Sequence, residues 1–169
     1  MELTEILSKG KVTKGSKVVM MPAVYGHEDI GKSIRELEAQ GIFVDHDSKL
    51  LQRIKEMFPE FDVIRGDALE FHQEGIITTV HYRPMFNYPH KTWIPFPNNY
   101  IHGPGFEGMV QNIKRLSPNF VLLSADDGRA EAEEKMILKE TCFHIVEEGL
   151  YKNIGVSRYV ISVVADPKN

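Results

Sequence analysis

The stretch FVDHDSKLLQRIKEMFPEFDVIRGDALEF, Phe43 to Phe71, holds two apolar runs separated by one helical repeat. The first run ends in an acid, Asp45. Asp47 or Ser48 then supplies an N-cap, and Leu51, Ile54 and Met57 recur at helical spacing. Pro59 stops the helix, because the residue before a proline is driven out of the helical region. The second run, Asp62 to Ile64, leads into Gly66-Asp67-Ala68. Strand, helix and strand in this order predict a parallel βαβ unit. Its right-handed crossover brings both acids to one edge of the sheet, the edge at which open α/β sheets present polar groups to a ligand.

The flanks repeat the pattern. Upstream, Glu2 to Lys9 reads as a short amphipathic helix and Lys17 to Met21 as a buried strand. His27 to Gln40 is a predicted helix carrying Ile30, Ile34 and Leu37, with Gly41 as its stop. Downstream, Ile76 to Val80 is the fourth strand, followed by a helix around Glu107 to Leu116 and a strand from Phe120 to Ser124. A charged helix is expected at Arg129 to Lys139. Cys142 to Val146 and Tyr159 to Val164 read as two closing strands with no helix between them, hence antiparallel. The expected fold is an α/β three-layer sandwich: a mostly parallel seven-stranded sheet with a C-terminal antiparallel strand. The span from Gly75 to Phe106 differs in character, with no acidic residue and five of the nine prolines. Residues 1–169 thus form one expected domain with a Pro/aromatic-rich insertion at about 81–106.

Composition bounds the function. The chain has 169 residues, 42% hydrophobic and 26% charged, enough for one domain that buries roughly two-thirds of its unfolded surface. No apolar run nears the ~20 residues of a membrane span, and no charged-then-apolar leader opens the sequence. The one cysteine, Cys142, allows neither an internal disulfide nor a thiolate metal cluster, which leads to the expectation of a cytoplasmic protein. The seven histidines are scattered and form no ligand set, so no metal is expected. A net charge of −4 gives no global attraction to nucleic acid.

Five βα units followed by a strand hairpin resemble the class I S-adenosylmethionine-dependent methyltransferases, and the likeness runs from about Thr13 to Ala165. The resemblance implies that Asp45, in VDHD, holds the ribose hydroxyls of S-adenosylmethionine or its demethylated product, with Asp47 capping the helix. It implies that Asp67, in IRGDALEF, lies beside the adenine, bordered by Ala68 and Leu69. The tail HIVEEGLYKNIGVSRYVISVVA matches the family's closing hairpin. The methionine part of the cofactor would lie along the first loop, MPAVYGHED, against Pro22, Ala23, Tyr25 and Gly26. That loop carries one glycine where the family has several, and a Cβ restricts both φ and close approach. His27, Glu28 or Asp29 is an alternative grip for the amino acid end.

After the fourth strand, HYRPMFNYP matches in part the family's polar-Pro-Pro-aromatic run for methylating exocyclic amines: Pro84 and Phe86 fit, Tyr82 or Arg83 takes the polar position, and Met85 replaces a proline. The expected catalytic set is His81, Arg83 and Phe86. His81 has a pKa range suited to a general base, and a histidine hydrogen-bonded in a turn is the other reading. The 81–106 segment interleaves aromatics (Tyr82, Phe86, Tyr88, Trp93, Phe96, Tyr100) with Arg83, His90, Lys91 and His102. It is suited to nucleic acid, to plugging the core, or to a homo-oligomer contact. The expected function is therefore methyl transfer to an unidentified nucleic acid or small molecule. Two alternatives stand beside it. One is a catalytically inactive methyltransferase-like binding or regulatory protein. The other is a two-histidine phosphoesterase built on His46-Asp47-Ser48 and His90-Lys91-Thr92.

Overall fold

The computed structural model describes residues 2–21, 23, 27–67, 70–82, 111–126, 143–152 and 158–165. The elements run α1 (Leu3–Lys9), β1 (Lys17–Met20), α2 (His27–Glu36), β2 (Gln40–Asp45), α3 (Ser48–Met57), β3 (Asp62–Arg65), β4 (Ile76–Tyr82), β5 (Phe120–Asp126), β6 (His144–Lys152) and β7 (Arg158–Ala165). A further helical segment, 111–116, lies between β4 and β5. The strands form one seven-stranded sheet in the order β3-β2-β1-β4-β5-β7-β6. β1 to β5 are mutually parallel, while β7 runs antiparallel to β5 and β6 antiparallel to β7. The mostly parallel α/β architecture read from the sequence is the one observed. No described helix is long and apolar enough to cross a membrane.

Successive side chains of a strand point to opposite faces, and this alternation divides the core in two. Val18, Met20 and Phe43 face one cluster, with Leu3, Ile6 and Leu7 of α1, Ile30 and Ile34 of α2, and Leu50, Leu51 and Ile54 of α3. Val19, Met21, Ile42 and Val44 face the other, with Ile76 and with Leu116 of the helical segment 111–116. β1 is buried on both sides, which is why its sequence is continuously apolar rather than alternating. Three aromatic rings lock α2 and α3 to β2. Phe58 stacks on Phe61 with centroids 5.5 Å apart, and Phe43 lies 6.3 Å from Phe58. The Arg35 guanidinium sits 4.8 Å above the Phe58 ring and donates to Glu60 Oε2 at 3.0 Å.

Several boundaries differ from the sequence reading. β1 ends at Met20, β4 continues to Tyr82, and β6 covers nine residues. α2 ends at Glu36, and Gly41 is not its stop. Glu38 takes the left-handed conformation instead, at φ 53°. The Ala39 N–H donates to the Ile34 carbonyl at 3.0 Å and the Glu38 N–H to the Arg35 carbonyl at 3.0 Å, the paired bonds of a Schellman ending. Gly41 lies in β2 for a packing reason: a Cβ there would meet the Phe61 ring at 2.8 Å. The helices expected at 107–110 and Arg129 to Lys139, together with most of the 81–106 insertion, lie outside the described residues.

Candidate functional site

The chain runs outward from β1 to β2 and β3, then returns to place β4 on the other side of β1. The switch point between β1 and β4 opens a crevice at the C-terminal ends of these strands. The register brings Met20 beside Phe43 on one side and beside Val80 on the other. Asp45 therefore projects from the tip of one neighbour of β1, and His81 lies near the tip of the other.

Asp45 is the last residue of β2 and pairs with Arg65 of β3. It is only 3% exposed. Its Oδ1 accepts the Asp47 N–H at 2.9 Å, with His46 Nδ1 3.5 Å away. Its main-chain carbonyl accepts the Gly66 N–H at 3.0 Å, which ties the tip of β2 to the tip of β3. Oδ2 receives no hydrogen bond from a described residue and is not among the sealed, unsatisfied side-chain atoms. A buried carboxylate is costly unless its oxygens find donors. Oδ2 is thus an acceptor that can be reached from the sheet edge.

The neighbouring acid has a different task. Asp47 Oδ1 accepts the Lys49 N–H at 2.9 Å and the Leu50 N–H at 3.2 Å. These bonds, that from Leu50 foremost, hold its carboxyl below the usual aspartate range. It is the N-cap of α3, as the sequence reading had it. His46 precedes that cap with its side chain 89% exposed. The first His-x-Ser triplet thus opens a helix instead of lining a core strand, which is not the arrangement a two-histidine phosphoesterase requires. The second triplet lies outside the described residues.

The first loop starts by continuing β1. Met21 and Ala23 are fully buried, and the Ala23 N–H donates to the Val44 carbonyl at 3.0 Å. The backbone at Ala23 is thereby laid along β2 one residue short of Asp45. Pro22, Tyr25 and Gly26 are outside the described residues. His27, the first residue of α2, has its Nδ1 buried without a hydrogen-bond partner among the described residues. Burial pushes its pKa down, and Arg53 adds to this, against the opposing pull of Glu28, Asp29 and Asp45. The fold accordingly favours the uncharged form of this imidazole. Glu28 is engaged on its own helix, 2.7 Å from Lys32.

Asp67 follows β3 and is exposed. Its carbonyl accepts the N–H groups of Glu70 and Phe71, both at 3.1 Å, so it begins a tight turn. Asn112 and Arg115 of the helical segment reach that turn and donate to the Phe71 carbonyl at 3.0 and 3.2 Å. Nothing in the sequence signalled this contact, since side-chain to main-chain bonds over 41 and 44 positions leave no periodic trace. Ala68 and Leu69 lie outside the described residues. On the acceptor side, His81 is inside β4, opposite Leu123 of β5, and not in the loop after it. The sequence reading ended the strand at Val80, but pairing with β5 carries it on through Tyr82. Arg83 and Phe86 are outside the described residues. The structure brings Asp45, Ala23 and the Asp67 turn to one edge, with the backbone of His81 across β1.

No protein-family model matches the sequence, and no curated protein matches it significantly. Solved structures do. A candidate RNA methyltransferase from Pyrococcus horikoshii superposes with a TM-score of 0.70 at 16% identity, over 98% of this chain and 81% of that one. A TehB-like S-adenosylmethionine-dependent methyltransferase from Corynebacterium glutamicum gives 0.67 at 15% identity, over 96% and 86%. The magnesium protoporphyrin IX methyltransferase of Synechocystis, solved with S-adenosylmethionine bound, gives 0.65 at 13%, over 95% and 74%. The chain has the fold of the class I S-adenosylmethionine-dependent methyltransferases.

Proposed function

We propose that this chain binds S-adenosylmethionine across the tips of β1, β2 and β3 and transfers its methyl group to an acceptor held beside β4. The carrying observation is Asp45: a buried carboxylate at the sheet edge whose Oδ2 has no donor among the described residues. A ribose hydroxyl is a fitting donor to this oxygen, and hydrogen bonds to a charged acceptor are the strong ones. The Asp67 turn borders the adenine, with Ala68 and Leu69 beside it. Residues 21–26 and His27 border the methionine end.

When bound, the cofactor supplies a methyl group made electrophilic by its sulfonium. The chain's contribution is then chiefly positioning, which is worth up to ~7–11 kcal/mol for well-aligned reactants. His81 takes the proton that the acceptor atom loses as it gains the methyl, a contribution of ~10²–10⁴-fold. Arg83 and Phe86 orient the acceptor. The aromatic and cationic residues of the 81–106 segment favour a nucleic acid or a planar small molecule.

Calorimetry with S-adenosylmethionine and its demethylated product, S-adenosylhomocysteine, tests this. Asp45→Ala should weaken both by about 1.5–3 kcal/mol. Failure of the wild type to bind either at millimolar concentration overturns the proposal. A second reading, binding without catalysis, has one observation in its favour: the loop after β1, MPAVYGHED, carries the single glycine Gly26 where the family's loop is glycine-rich. It gains if the wild type binds both ligands but methylates no nucleic acid, protein or small-molecule pool.

A further inference from the structure

The turn that begins at Asp67 is held from outside. We propose that Asn112 and Arg115 are positioning residues that clamp the Phe71 carbonyl and so fix the Asp67 turn at the height where it meets the cofactor's adenine. The assignment of the adenine to that turn rests on the function proposed above; the clamp itself rests on geometry.

Asn112 Nδ2 donates to the Phe71 carbonyl at 3.0 Å and Arg115 Nη2 at 3.2 Å. A carbonyl has two lone pairs, and one side chain is available to each. The same residue's N–H donates to the Asp67 carbonyl at 3.1 Å. Phe71 is thus bound at both ends of its backbone, to the turn through its N–H and to the helical segment 111–116 through its carbonyl. The Asn112 side chain is wholly buried, where an amide hydrogen bond is shielded from competing water. The Phe71 side chain packs against the core cluster that contains Val19, Met21 and Val44, so the fixed point is continuous with the strands that carry the site. Asp67 itself is exposed. An exposed turn residue holds a ligand well only if its backbone is located by something rigid, and the clamp supplies that.

Two measurements separate the clamp from the cofactor reading. Amide hydrogen exchange needs no ligand: Asn112→Ala should accelerate exchange at the Glu70 and Phe71 amides by about five- to tenfold, the loss of roughly one hydrogen bond. Calorimetry with S-adenosylhomocysteine and with adenosine then reads the adenine end. Asn112→Ala and Arg115→Met should each weaken both ligands by about three- to tenfold, and Arg115→Lys should restore part of the loss. Adding Asp67→Ala to either variant should cost little more, because the residues act through one turn. Should Asn112→Ala fold poorly, the exposed Arg115 carries the test. Unchanged exchange at Glu70 and Phe71 overturns the clamp, whatever binds. Changed exchange with no binding to the wild type leaves the clamp standing and overturns the cofactor reading. Affinity losses that add fully to those of Asp67→Ala also overturn the positioning role.

Discussion

An imidazolium needs partners for two N–H groups, and His27 has a buried Nδ1 with none among the described residues. Burial lowers its pKa first, and the Arg53 charge adds to the effect. The consequence for stability has a definite sign. The unfolded chain takes up a proton near the ordinary histidine value, about 6.5, whereas the folded chain resists until a lower pH. Between those values the unfolded state binds more protons, so stability falls as pH falls. Denaturant melts at pH 7 and pH 5 should show this loss, and His27→Gln should flatten it. An unchanged pH slope in the variant would show that His27 is not its source. Glu28, Asp47 and Glu60 are lowered by hydrogen bonds to Lys32, to the Leu50 and Lys49 amides, and to Arg35, respectively. Their contributions are lost only in the more acidic carboxylate range. The places of Asp45 and Asp67 at the strand tips were legible in the sequence because the first ends an apolar run and the second follows one within three residues. The orphaned Nδ1 of His27 was not, since whether a nitrogen finds a partner depends on side chains that only the fold assembles.

Strands and helices were legible wherever a single period ran through them, as in α3, and less so at their ends. α2 shows why. Glycine is the residue expected at a left-handed helix ending, so Gly41 drew the boundary. The fold spends that glycine on the Phe61 ring and leaves Glu38 at φ 53°. A residue with a Cβ costs about 1–2 kcal/mol in that conformation. Glu38→Gly removes the strain and gives up only an exposed pair with Lys14 and some added freedom in the unfolded chain. The expected gain is about 0.5–1 kcal/mol, a rise of roughly 1–4 °C in Tm for a chain of this size. Differential scanning calorimetry decides it, and a lower Tm would mean the ion pair outweighs the backbone. The length of β4 was misjudged for a related reason: its last residues are strand because β5 pairs with them, a long-range cause that a local pattern does not contain.

At the scale of the molecule the α/β class followed from the alternation of elements, whereas the full strand order is seen only in the structure. The sheet ends in β3 on one side and β6 on the other, and these border strands are unlike. β3 is four residues long, and its terminal residues Asp62 and Arg65 are charged and exposed. β6 is nine residues long, with Ile145 and Val146 exposed at 40% and 43%. A long apolar border is a template on which a second chain can add a strand. Here the pairing skips at Val146, since Ile145 faces Val164 and Glu147 faces Val163. This is a β-bulge, which bends and twists the border. Glu147, next along, is held 3.1 Å from Lys9 of α1. A kink and a charge on a border strand are features that disfavour strand addition, and this ion pair contributes little to the fold itself because it lies at the surface. Glu147→Val should therefore leave the melting temperature nearly unchanged while light scattering on prolonged warm incubation rises well above that of the wild type; equal scattering would show the bulge suffices alone. The bulge in β6 thus bears on how concentrated the chain can become before its copies begin to join edge to edge.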